Sequence, residues 1–139
     1  MGERAAFREM RMKARIWMAI FAAAFFLAEL IIGLYGRGFI RSYMGDVLII
    51  PFLYCAAQIF LLRQDYILPA VLFVMGIAAE VLQYMEAGSR LGIPKNSFLA
   101  ILLGATGDVM DVVCYGVGTG MVCAGILLYK RRKADRLPK

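Results

Sequence analysis

Apolar residues run through this chain in four stretches, 16–35, 46–62, 66–85 and 108–129, parted by short clusters of Gly, Pro and charged residues. Each run is near the roughly 20 residues that carry a helix across a hydrocarbon core of about 30 Å. The polar residues inside the runs keep helical spacing. Glu80 and Gln83 close the third run one turn apart and share a face with Gly76. Asp108, Asp111, Tyr115, Gly118 and Gly125 line one stripe of the fourth. Carboxylates in hydrocarbon cost at least about 2.5 kcal/mol each on insertion scales, so the two stripes are expected to face each other.

The pattern predicts an all-α polytopic membrane protein, a four-transmembrane-helix bundle forming a single membrane domain over 1–139. Gly36-Arg37-Gly38 ends the first helix and Gly45-Asp46 opens the second, where Pro51 is expected to kink or locally unwind the helix. Arg63-Gln64-Asp65 reads as a tight turn with Asp65 as N-cap of the third helix. The connection 86–107 is the long one. Its Asn96 or Ser97 suits the cap of a short interfacial or re-entrant helix through Leu103, before the fourth span.

Composition agrees with lipid: 62% hydrophobic and 19% charged, against about 45–50% and 25% in soluble domains. The net charge of +6 does not point to nucleic acid, because Lys and Arg gather beside the apolar runs at the two termini. Twelve of the sixteen fall on the side of the termini and the Arg63 turn, and four (Arg37, Arg41, Arg90, Lys95) on the other. The positive-inside rule then places both termini in the cytoplasm of a multi-pass cell-membrane protein. The first run is too long for the core of a signal peptide and reads as an uncleaved span. Cys55, Cys114 and Cys123, odd in number and inside apolar runs, read as small packing residues. Without histidine, the usual zinc and haem sites and imidazole catalysis are excluded, no cofactor or metal is expected, and carboxylates must carry any proton chemistry.

With that orientation, polar residues from separate segments converge on the outer leaflet. The candidate ligand-binding set is Arg37, Arg41, Asp46, Glu80, Gln83, Arg90, Asp108, Asp111 and Tyr115, and Glu29 falls at the same depth. One reading is structural: Arg37 or Arg41 pairs with Asp46, and Arg90 with Glu80 or Asp111. The other is a pocket in which the arginines fork onto phosphate or carboxylate while the acidic side chains supply acceptors, a proton site or a cation site. Gly116-x-x-x-Gly120 suits close intramolecular packing better than dimerisation, though a homo-oligomer stays open.

Glu80-x-x-Gln83, Arg90, then Asp111-x-x-x-Tyr115-x-x-Gly118 resembles the Glu-x-x-Gln, Arg, Asp-x-x-x-Asn-x-x-Gly pattern of VanZ-like membrane proteins. It is closer to a related family of small bacterial membrane proteins of unknown function. That family has an Arg after the first span, Gly-Asp opening the second, Leu-Gly before the Asp and Tyr for the Asn, here Arg37, Gly45-Asp46, Leu103-Gly104, Asp111 and Tyr115. The resemblance implies a four-helix bacterial membrane protein, and in the VanZ-like branch a link to glycopeptide resistance. Tyr115 in place of Asn argues against carrying that role over, since a phenol lacks an amide's paired donor and acceptor.

The expected function is therefore binding of an anionic envelope molecule, a lipid headgroup or cell-wall precursor, at an outward-facing polar site among membrane lipids. One alternative is a membrane enzyme on a lipid-linked substrate, with Glu80 or Asp111 as general acid or base and Asp108 with Asp111 holding Mg²⁺. No activated nucleophile or complete metal motif supports it, which tilts the reading away from catalysis. The other is a small transporter or its structural partner.

Overall fold

The first helix begins well before its apolar run. In the computed structural model, which describes residues 2–63, 65–85 and 108–135, α1 spans Gly2–Tyr35. Residues 4–15 are mostly Arg, Ala, Met, Glu and Lys, strong helix formers that continue the helix rather than break it. Glu9 and Lys13 add an i,i+4 ion pair at 2.7 Å. Gly36 and Arg37 leave the helix, Gly38 takes a left-handed φ of +55° that suits glycine, and the chain enters a π-helical turn, Ile40–Met44. That turn runs directly into α2, Gly45–Leu61.

Leu62 in the left-handed region, φ 49°, stops α2. Buried Gln58 closes the turn by donating its side-chain amide to the Arg63 carbonyl. The Asp65 carboxylate accepts from Arg63 Nε at 2.9 Å. Asp65 is therefore not the N-cap expected of it: Tyr66 occupies that position, without a side-chain cap bond, and α3 spans Ile67–Tyr84. The last helix, α4, spans Val109–Asp135 and carries Arg132 and Lys133 in its final turn, where they complement the helix dipole.

Among the described residues these four are the long helices. Three of them, α1, α3 and α4, are long and apolar enough to cross a membrane, while α2 is apolar but only 17 residues. The arrangement is consistent with a multi-pass membrane protein. Only 6% of the most apolar window of α1 is buried within the protein. Most of its Leu, Ile and Phe side chains therefore face outward, as lipid-exposed residues do, and Phe25 is an exception that packs toward the core. The expected short helix before the last span lies outside the described residues.

At the centre stands α2, which packs against α1, α3 and α4; α3 also packs on α4, whereas the backbone of α1 does not come close to that of α3 or α4. Ala22, Ile50, Tyr54, Cys55, Val122 and Ile126 form the buried cluster where α1, α2 and α4 meet. Pro51 lies inside α2, which stays helical through it. Its missing N–H frees the Val47 carbonyl, and that oxygen sits where a Cβ on Gly118 would be. A Cβ there would also lie 3.2 Å from Ile50 Cβ and Pro51 Cδ. Gly118 thus lets α4 lie directly against α2 and turns a Cα–H toward the carbonyl that proline leaves without a helical partner.

Candidate functional site

Four carboxylates gather at the end of the helices opposite the chain termini, and helix polarity explains three of them. Asp46 is in the first turn of α2 and Asp111 in the first turn of α4. Asp108 stands immediately before α4, where its Oδ1 accepts the Met110 N–H at 2.9 Å. It acts as an N-cap, and its carbonyl accepts the Asp111 N–H at 3.0 Å. All three sit at positive helix ends, which favour negative charge.

Glu80 has no such help. It lies in the last turns of α3, near a negative helix end, and only 6% of it is exposed. Two donors hold it instead. The Tyr115 hydroxyl donates to Oε1 at 3.0 Å, and the Asp108 N–H donates to Oε2 at 3.2 Å. Gly76, one turn before Glu80, makes the first bond reachable: a Cβ there would lie 2.9 Å from Tyr115 Cδ2, so the phenol ring rests flat over the bare backbone of α3. One carboxylate thereby ties α3 to both the start and the second turn of α4.

Tyr43, in the π-helical turn, donates its hydroxyl to Asp108 Oδ2 at 3.3 Å. The neighbouring Asp108 carboxylate raises the Tyr43 phenol above its ordinary range. The carboxyl groups of Asp46 and Asp111 face each other closely enough to interact. Glu29 of α1 stands close enough to act on Asp46 electrostatically, and its Oε1 is buried with no hydrogen-bond partner among the described residues.

Of the residues expected from the sequence, Asp46, Glu80, Asp108, Asp111 and Tyr115 come together, and Gln83 lies partly buried one turn past Glu80. Arg37 and Arg41 are exposed on the α1–α2 connection and form no ion pair with a described residue. Asp46 faces Asp111 rather than an arginine, because its helix end already favours the charge and the Arg side chains reach water more cheaply. Arg90 lies outside the described residues, as does Leu103-Gly104. Tyr43 was missed as part of the site. Its signal was its place on the connection three residues before Asp46, which brings it to the same end of the bundle. Among the described residues no group of His, Cys, Asp or Glu is arranged to hold a metal ion.

The comparison with known families falls on this same part of the chain. A family model described as a protein of unknown function, DUF2809, matches residues 35–119. The chain belongs to that family. The DUF2809 match opens at the end of α1 and closes four residues past Tyr115, so it takes in every candidate site residue and leaves out most of α1 and the basic end of α4. No curated protein and no solved structure matches the chain.

Proposed function

We propose that this is a cell-membrane protein with both termini cytoplasmic, whose outward-facing polar site binds the headgroup of an envelope lipid or lipid-linked cell-wall precursor. The observation that carries the reading is the grading of charge at one end of the helices. Glu80 is buried and doubly bonded, Asp46 and Asp111 are partly buried, Asp108 is exposed, and Arg37 and Arg41, in no ion pair among the described residues, stand on the adjoining connection. A headgroup with a phosphate beside an amine or hydroxyl matches that order: the phosphate takes the arginine forks and the donor group takes the carboxyl oxygens. The twelve-to-four distribution of Lys and Arg supports the orientation.

Native mass spectrometry of the protein extracted in mild detergent tests this. The expected result is one enriched lipid class bearing phosphate and a donor group, reduced at least tenfold in Arg37→Gln/Arg41→Gln and in Asp46→Asn/Asp111→Asn. A lipid profile equal to that of the bulk membrane in all three would overturn the proposal.

The closeness of the Asp46 and Asp111 carboxyl groups favours a second reading, a membrane enzyme using that pair as general acid on a lipid-linked substrate. In that case Asp111→Asn keeps the lipid bound and stops its turnover. In the binding reading the same change releases the lipid.

A further inference from the structure

An apolar groove lies on the terminal side of the bundle. Because α1 and α4 both pack on α2 while their own backbones stay apart, a groove runs between them with α2 as its floor. Its volume is about 360 Å³, within the range of small-molecule pockets, and it is lined by Met18, Phe25, Tyr54, Met121, Gly125 and Tyr129 among others, with no charged side chain. The groove opens to the membrane side of the bundle, among helix faces whose Phe21, Ile20 and Leu128 are exposed. An apolar groove at that depth is in contact with acyl chains.

Charge selects which lipid. At one end the groove is bounded by Met18 and Tyr129. Three residues before Met18 is Arg15, and directly after Tyr129 come Lys130, Arg131, Arg132 and Lys133, all exposed. Lys130 turns toward α3, its Nζ 4.5 Å from the centre of the Tyr66 ring, while Arg132 and Lys133, three and four residues after Tyr129, continue the groove-lining stripe of α4. Asp135, Glu9 and Asp65 are acidic residues described at this end of the bundle; Glu9 is paired with Lys13 and Asp65 with Arg63. A basic collar at the membrane surface attracts anionic headgroups, most strongly where a pocket between helices fixes the chain below it.

The geometry points to a binding site for an anionic phospholipid, one acyl chain lying in the α1–α4 groove and its phosphate held by Arg15, Arg132 and Lys133. Gly125 is the key to testing it. A Cβ at Gly125 meets nothing within 4 Å, so a larger side chain there enters the groove without displacing backbone. The site shares no residue with the carboxyl cluster and stands independently of it.

The test uses the full-length protein, delipidated in detergent and titrated with phosphatidylglycerol or phosphatidylcholine of identical chains, read by native mass spectrometry. The unmodified protein is expected to bind the first phosphatidylglycerol at least tenfold more tightly than phosphatidylcholine. Gly125→Trp lowers that affinity at least tenfold with the melting temperature kept, and Arg132→Gln/Lys133→Gln brings the two lipids to within about twofold. Gly125→Leu serves the same purpose if the tryptophan variant does not fold. Equal binding of the two lipids by the unmodified protein, or unchanged phosphatidylglycerol binding in the folded Gly125 variant, overturns the proposal. A Gly125 variant that turns a dimer into a monomer without losing lipid also overturns it, and assigns the groove to a second copy of the chain.

Discussion

Tyr115→Phe removes one oxygen and little else, because the ring that lies over Gly76 remains. What it leaves behind is Glu80 Oε1 without its 3.0 Å donor, in a side chain only 6% exposed. An unsatisfied buried acceptor costs about 1–3 kcal/mol. Hydrogen bonds between membrane helices run lower, about 0.6 kcal/mol on average and about 1.7 at most, because the unfolded chain in lipid finds other partners. Asp108, the neighbour on the other oxygen, is exposed, so water reaches the edge of the site and softens the loss. The expected loss is therefore about 1–1.5 kcal/mol, near the top of the membrane range. Reversible unfolding by SDS in mixed micelles measures it. A cycle with Glu80→Met separates the hydrogen bond from the ring: without the carboxylate, Tyr115→Phe should cost less than about 0.3 kcal/mol. An equal loss in both backgrounds would refute the bond, and a loss below about 0.3 kcal/mol in the native background would show that Glu80 does not depend on Tyr115.

Two further perturbations separate packing from polarity. Gly118→Ala forces a methyl group against the Val47 carbonyl and should destabilise by about 1–3 kcal/mol, as overpacking does, whereas Gly120→Ala, with nothing within 4 Å, should be neutral or stabilising in the same unfolding measurement. Asp108→Ala loses the cap on Met110 N–H and should cost about 0.5–2 kcal/mol, while Asp108→Asn, able to cap as well as Asp, should cost only tenths of that in SDS unfolding.

The apolar runs located the helices because lipid-length hydrophobicity is a strong signal, and turn residues such as Gly45 and Tyr66 fixed the starts of α2 and α3 to within a residue or so. The start of α1 was misplaced for a physical reason: charged residues end an apolar run without ending a helix when they are Arg, Lys, Glu and Ala. The meeting of Glu80 with α4 followed from depth alone, since antiparallel neighbours bring the end of one helix to the beginning of the next. The partner of Asp46 did not follow. Counting charges suggested an arginine, but helix dipoles stabilise carboxylates without a counter-ion, and that depends on which residue begins each helix. Tyr43 and Gln58 were hidden for a related reason, as each acts through a turn whose shape no periodicity describes.

Everything proposed for the carboxyl cluster requires it to face the side of the membrane away from the termini. Labelling with a membrane-impermeant maleimide tests this directly, using Asp108→Cys and Ala134→Cys variants in a background where Cys55, Cys114 and Cys123 are replaced by Ala; both labelled positions are exposed. Asp108→Cys should react in intact cells and Ala134→Cys only after the membrane is opened. Reaction of Ala134→Cys in intact cells, with Asp108→Cys silent until lysis, would invert the protein and contradict an outward-facing site.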